Sequence, residues 1–258
     1  MMHSIQREGS VQTVREGGIS VITFTHPAQN SLPGYLLREL TEHIRMAGED
    51  AETQLIILQS GGDRTFCAGA SFTELAAIGD EAAGHQFFMG FANVIEAIRT
   101  CPKLVIGRVQ GKAVGGGVGL ASACDYCFAT RHASVRLSEL AVGIGPFVIG
   151  PAVERKIGLS AFSMMALDAG KWQSADWARE KGLFMEVFES IEELDKAIGV
   201  FTQDLLGKNP EALHHLKRIF WEGTDHWPEL LSARAKTSGT LILSDIAQSA
   251  IRSFLQKL

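Results

Sequence analysis

Residues 110–120 read QGKAVGGGVGL. They follow a mostly apolar run, residues 104–109, with the length and character of a buried strand. They lead into Ala121-Ser122-Ala123-Cys124, which continues naturally as a helix. Four glycines, Gly115, Gly116, Gly117 and Gly119, stand where that helix should begin. Each costs on the order of 1 kcal/mol relative to alanine inside a helix. So poor a helix start suggests that the backbone must approach something closely. A helix N-terminus carries unpaired N–H groups and partial positive charge. Bared by glycine, those groups can hold an anion, or an oxygen that becomes one. The other reading is a tight strand-to-helix turn with no ligand.

The chain around this stretch has 258 residues, 46% hydrophobic and 21% charged, ordinary for a soluble globular protein with a sizeable core. A net charge of −5 offers no general attraction to nucleic acid or anionic membranes, so neither is expected as a partner. The start, MMHSIQREGS, has no apolar signal-peptide core. The longest uncharged stretch, residues 140–153, is too short and too broken by glycine and proline to span a bilayer. A cytoplasmic protein is expected. Cys124 and Cys127 have C-x-x-C spacing, but they fall at the end of a helix and no second pair completes a metal site. Buried packing is the reading preferred over redox chemistry.

Outward from the glycine run, residues 11–14 and 19–25 read as strands around the Glu16-Gly17-Gly18 turn. Asn30 or Ser31 is placed to cap a helix whose apolar face holds Leu36, Leu37, Leu40 and Ile44. Residues 55–58 form a short apolar strand, residues 64–72 read as a loop, and residues 79–84 as a mobile turn. Residues 85–99 are an amphipathic helix with Phe88, Phe91, Ile95 and Ile98 on one face. Strands follow at 126–129, 134–137 and 185–188, with helices at 149–157, 161–169 and 174–181. From residue 191 the pattern is helical throughout. Alternating strands and helices followed by helices alone predict an α/β core, residues 1–195, and a helical extension, residues 196–258. Such an extension either packs on a neighbouring subunit or caps its own core.

Between Asp125 and Glu154 the only acid is Glu139, with apolar neighbours on both sides. Buried there, its carboxyl would have a raised pKa suited to acid–base work near neutral pH. Otherwise it is a solvated acid at a helix start capped by Ser138. Residues 67–71 and 115–117 are both small-residue segments after apolar strands. If both present N–H groups at one sheet edge, they form an oxyanion hole, in which each donor is worth roughly 10²–10³ in rate. Neither is a nucleotide-binding fingerprint. Ser138 lacks a nucleophile-elbow context, and no metal-ligand spacing is present.

Phe66-Cys67-Ala68-Gly69-Ala70, Gly115-Gly116-Gly117-Val118-Gly119-Leu120 with Ala123-Cys124-Asp125, and Ser138-Glu139-Leu140-Ala141-Val142-Gly143-Ile144-Gly145-Pro146 together resemble the crotonase (enoyl-CoA hydratase/isomerase) superfamily. His26-Pro27 with Asn30-Ser31-Leu32, Ser174-Ala175 with Gly182-Leu183, and the final Phe254-Leu255-Gln256-Lys257 extend the likeness over nearly the whole chain. The resemblance implies a spiral of β-β-α turns with C-terminal helices that form a homotrimer, two of which commonly stack into a hexamer. It implies an acyl-CoA substrate, with coenzyme A part of that substrate and no further cofactor or metal. The thioester oxygen is then held by the N–H groups of Ala70 and Gly116, and Glu139 is the acid/base. Arg64, Phe66 and Ala68 fall in the CoA-binding segment, and Lys257 falls where a neighbouring subunit's CoA is reached. Thr73 stands where a basic residue is usual. Residues 85–99 and 147–149 are expected at the acyl pocket. Hydratases of the two-glutamate type carry an acid at the position of Gly119, so here the load falls on Glu139. Whether Glu74, Asp80 or Glu81 supplies a second acid is open at this point. The resemblance implies hydration of a 2-enoyl-CoA. Δ3,Δ2-enoyl-CoA isomerisation and a non-catalytic acyl-CoA-binding relative are the alternatives.

Overall fold

The computed structural model describes residues 8–256. β1 (Ser10–Glu16) and β2 (Ile19–Thr25) form an antiparallel hairpin turned by Gly17 and Gly18. α1 (Gly34–Glu49) crosses over to β3 (Leu55–Ser60) and buries Leu36, Leu37, Leu40 and Ile44 beneath it. Next come β4 (Thr65–Cys67), α2 (Phe72–Ala76), α3 (Glu81–Thr100), β5 (Leu104–Val109), β6 (Lys112–Val114) and α4 (Gly116–Ala123). β7 (Tyr126–Thr130), β8 (Ser134–Arg136), a 3₁₀ turn (Glu139–Val142), α5 (Gly150–Leu167), β9 (Gln173–Ser174), α6 (Ala175–Glu180) and β10 (Glu186–Phe188) complete the mixed part. Four helices end the chain: α7 (Ile191–Leu206), α8 (Pro210–Phe220), α9 (Trp227–Leu241) and α10 (Asp245–Leu255).

The strands form two sheets. One has the order β1-β2-β3-β5-β7-β10, the other β4-β6-β8-β9. Three successive turns each give one strand to each sheet: β3 and β4, β5 and β6, β7 and β8. From β2 to β10 the large sheet is parallel, as are β4, β6 and β8 in the small one. Parallel strands are covered on both faces, which explains runs as apolar as LIILQS and LVIGRV. The main core lies between the sheets and α1, α3, α4 and α5. On the other face of the large sheet, Leu194 and Ile198 of α7 pack against Ile57, Ile106 and Phe128.

Local expectations fail at three places. Asn30 and Ser31 do not cap α1, whose first turn follows Pro33 with no side-chain cap. Asn30 instead takes a left-handed conformation, φ 55°. Its Nδ2 donates to the carbonyls of Gly61 (2.7 Å) and Thr65 (2.8 Å), tying the end of β2 to the start of β4. Residues 64–72 are more than a loop, because Thr65 and Cys67 pair with Lys112 and Ala113 to make β4. Residues 79–84 are no mobile turn: Asp80 caps α3, which starts at Glu81. Gly84 lies inside that helix because α9 crosses it at Gly239; a Cβ on Gly84 would lie 2.7 Å from the Gly239 Cα.

The C-terminal helices fold back on their own chain. α9 lies on α3, and α10 lies on α2 and on the 3₁₀ turn, with Phe254 stacked on Phe72 at 4.0 Å. The expected boundary at residue 195 falls within α7. α8 is fastened by a buried pair, Lys217 Nζ to Asp125 Oδ2 at 2.6 Å, both side chains 2% exposed. Asp125 also accepts from Trp221 Nε1 and from the Val105 N–H, and Lys217 donates to the Ile98 carbonyl. Cys124 and Cys127 are free, buried thiols bonded to helix carbonyls of α4.

Candidate active site

β4, β6 and β8 are adjacent and parallel, so the segments leaving their C-terminal ends meet at one edge of the small sheet. After β4 come residues 68–70, after β6 Gly115 and Gly116, and after β8 Ser138 and Glu139. These segments line one cavity of about 70 Å³. Ala68, Ala70, Gly116 and Glu139 therefore come together from positions up to 71 residues apart in the chain (139 − 68).

The glycines at the start of α4 each meet a different neighbour. A Cβ on Gly115 would lie 2.8 Å from Glu139 Oε1, and one on Gly116 would lie 2.2 Å from Phe91 Cε1. On Gly117 it would be 2.5 Å from the Cys67 carbonyl oxygen, and on Gly119 2.5 Å from Ile149 Cγ2. Gly115 also has φ 52° and donates to the Arg136 carbonyl, which locks the turn to β8. Across the gap, a Cβ on Gly69 would lie 3.6 Å from the Gly116 nitrogen. Among the described residues no backbone carbonyl accepts from the Ala70 or Gly116 N–H. Two unspent donors thus line the same cavity as the carboxyl.

Glu139 opens its 3₁₀ turn behind Ser138, which makes no side-chain cap bond. Part of the residue is exposed, but Oε2 is buried and has no hydrogen-bond partner among the described residues. It is not a solvated acid. Burial pushes its pKa up to about 7, against the opposing pull of the Glu139 and Ser138 N–H groups and the Arg136 charge. No other carboxylate lines the cavity among the described residues. Glu74 accepts from the Gly34 N–H, Asp80 caps α3 and Glu81 accepts from Thr240, and none of the three lines the cavity.

A stability effect follows from that pKa. Glu139 holds its proton in the native state up to about 7, whereas the unfolded chain releases it near the ordinary value of 4.5. Between these values the native state binds more protons, so stability falls as pH rises and stays lower above 7. Glu139→Gln removes this slope. Thermal melts at pH 5 and pH 8 should show a smaller loss of Tm at the higher pH for the variant than for the parent protein.

The remaining walls are apolar: Phe72 and Leu75 of α2, Phe88 and Phe91 of α3, and Val142 with residues 144–149 after β8. Of residues 85–99, expected at the acyl pocket, Phe88 and Phe91 line it, and all of residues 147–149 do. The contribution of α2 has a faint signal, two apolar side chains three residues apart in a five-residue helix. Arg64 is exposed and lies at a neighbouring depression with His26, Gln29 and Asp63. Phe66 is fully buried, its ring edge-on to Phe24 at 5.5 Å and outside the cavity lining. Lys257 lies outside the described residues.

The sequence profile described as "Enoyl-CoA hydratase/isomerase" matches residues 14–258. The chain belongs to the enoyl-CoA hydratase/isomerase family. A Bacillus subtilis protein named "Probable enoyl-CoA hydratase" is 29% identical over 248 residues, 93% of each chain. The mouse mitochondrial Delta(3,5)-Delta(2,4)-dienoyl-CoA isomerase is 27% identical over 218 residues, 77% of this chain and 64% of the relative. The crystal structure of an enoyl-CoA hydratase from Mycobacterium avium superposes with a TM-score of 0.82 at 26% identity, covering 96% of each chain. The two-sheet spiral described above is the crotonase fold. Among the described residues of this family member, no helix is long and apolar enough to cross a membrane.

Proposed function

We propose that the protein hydrates a 2-enoyl-CoA, with Glu139 as the single acid/base and the N–H groups of Ala70 and Gly116 as the oxyanion hole. The observation that carries this reading is the buried, unpartnered Glu139 Oε2 in one cavity with two unspent backbone donors. The carboxylate takes a proton from water as its oxygen bonds to the β-carbon. The electron pair of the double bond moves onto the thioester oxygen, where both N–H groups face the developing charge. Glu139 then returns a proton to the α-carbon as the carbonyl re-forms. A pKa of about 7 suits both halves of this exchange. Relatives matched along nearly their full length and named as hydratases support the reading. Exposed Leu216, Ile219 and Phe220 on α8 support assembly into a homotrimer.

One observation favours a second reading, Δ3,Δ2-enoyl-CoA isomerisation. Ile149 packs against Gly119, leaving one carboxyl and an apolar wall where a second group could hold water. Incubation in ¹⁸O-water with a 2-enoyl-CoA and, separately, a 3-enoyl-CoA decides between the two. The expected result is a 3-hydroxyacyl-CoA carrying the label. Double-bond migration without label, faster than hydration, overturns it in favour of the isomerase. Binding of acyl-CoA without turnover of either substrate overturns both.

A further inference from the structure

Among the described residues, two with polar side chains line the cavity, Ser138 and Glu139, and they are neighbours in the chain. Their N–H groups both pull on the Glu139 carboxyl, which sets it against the Ser138 backbone. The Ser138 hydroxyl has no hydrogen-bond partner among the described residues. It is not sealed in either: the buried side-chain oxygens without a partner belong to Gln110, Ser122 and Glu139. Its freedom is unusual for its position. Ser71, Ser174, Ser190 and Ser244 also stand just before helices, with ψ between 114° and 167°, and each accepts from an N–H of the first turn. Ser138 has ψ 1° and makes no such bond. Its hydroxyl is therefore left for whatever enters beside Glu139.

A water that adds to a carbon next to a carboxylate needs a second contact. One of its hydrogens points at the base and one lone pair at the carbon. Its other hydrogen needs an acceptor that keeps that lone pair in line. Few acceptors are free in the cavity. The lining carbonyls of Gly69, Gly115, Ser138, Glu139 and Gly145 already accept from backbone N–H groups. The place beside Gly119 is filled by Ile149, and the other side chains of the lining are apolar. The Ser138 hydroxyl is the side-chain acceptor that remains once Glu139 serves as the base.

We propose that the Ser138 hydroxyl holds the attacking water, with Glu139 as its base. The proposal rests on the hydratase reading of the site. As Glu139 takes one hydrogen of the water, the oxygen bonds to the β-carbon and the electron pair of the double bond moves to the thioester oxygen. Ser138 Oγ accepts from the other hydrogen, which stays on the product as the proton of its 3-hydroxyl group. Ser138 itself neither gains nor loses a proton. Its hydroxyl acts only where water is a reactant. Removal of an α-proton from a saturated acyl-CoA, by Glu139 and the same two N–H donors, does not use it.

The test compares the parent protein with Ser138→Ala and Ser138→Thr in hydration of but-2-enoyl-CoA and in exchange of the α-hydrogens of butyryl-CoA in D₂O, followed by mass spectrometry. Ser138→Ala removes a hydroxyl that bonds to no described residue, so the fold should hold. Its kcat for hydration should fall by about 10- to 100-fold, the scale for a misplaced reactant. Its KM and its rate of exchange should stay close to the parent's. Ser138→Thr keeps the hydroxyl and should recover most of the loss. Three results each overturn the proposal: undiminished hydration in Ser138→Ala, a loss shared equally by hydration and exchange, or a folded Ser138→Thr as slow as Ser138→Ala. A shared loss would mean that Ser138 only positions Glu139. Exchange without hydration in the parent protein refutes the hydratase reading itself, whereas undiminished hydration in Ser138→Ala refutes only the role of Ser138.

Discussion

Glu139→Gln is expected to lower turnover by about 10²–10⁴ while leaving the fold intact, the range a positioned general acid or base supplies. Glutamine has nearly the same shape, so it fits beside Gly115, where Oε1 already lies close to the backbone. It loses the one property the site uses, an oxygen that binds and releases a proton near neutral pH. The buried Oε2 has no partner to lose, so the substitution breaks no hydrogen bond of that atom. Burying a neutral amide in place of an acid with a raised pKa also removes a charging penalty above pH 7. The variant should therefore bind an acyl-CoA, show the parent's circular dichroism, and melt no lower at pH 8. Turnover within a few-fold of the parent would remove Glu139 from the chemistry.

Asp125→Ala is expected to cost about 3–5 kcal/mol of stability, the scale for leaving one member of a buried ion pair alone. Three donors converge on that carboxylate: Lys217 Nζ, Trp221 Nε1 and the Val105 N–H. Removing it leaves Lys217 in the core with the Ile98 carbonyl and no countercharge. It also frees the end of α8 from the start of β5. In a protein of this size each kcal/mol shifts Tm by roughly 2–4 °C, so the midpoint should fall by about 6–20 °C. The double variant Asp125→Ala, Lys217→Met should recover part of the loss, because the stranded charge goes with it. Equal stability of single and double variants in urea melts would mean that the lost packing, not the unpaired lysine, dominates.

The parts of this molecule legible from sequence are those that depend on near neighbours. β2, α7 and the break of α5 at Gly158 follow from apolar period and glycine placement. The glycine run and Glu139 stand out because each violates its surroundings, the one in helix propensity and the other in polarity. What stayed hidden depends on distant partners. Asn30 looks like a cap, and only the approach of residues 61 and 65 shows that it is a tie. Gly84 looks like a flexible turn until α9 is seen crossing it at Gly239. Gly119 is conspicuous in sequence for what it lacks, and the side chain that fills its place comes 30 residues later (149 − 119). Asp125 is visible as part of a motif, but its lysine and tryptophan lie on a helix more than 90 residues onward (217 − 125).

The four glycines at the start of α4 also bear on the order in which the chain assembles. A helix of eight residues with glycine at three of them, preceded by another, is far from stable alone. It persists because Cys67, Phe91, Glu139 and Ile149 close around it, and those contacts join segments far apart in the chain. Such contacts form only after most of the loop-closure entropy has been met. The helix that presents the Gly116 N–H is therefore among the last parts to set during folding, and because Gly117 through Ala123 are all buried it opens only with the core around it. As denaturant rises, activity should disappear together with the bulk secondary structure, in one transition.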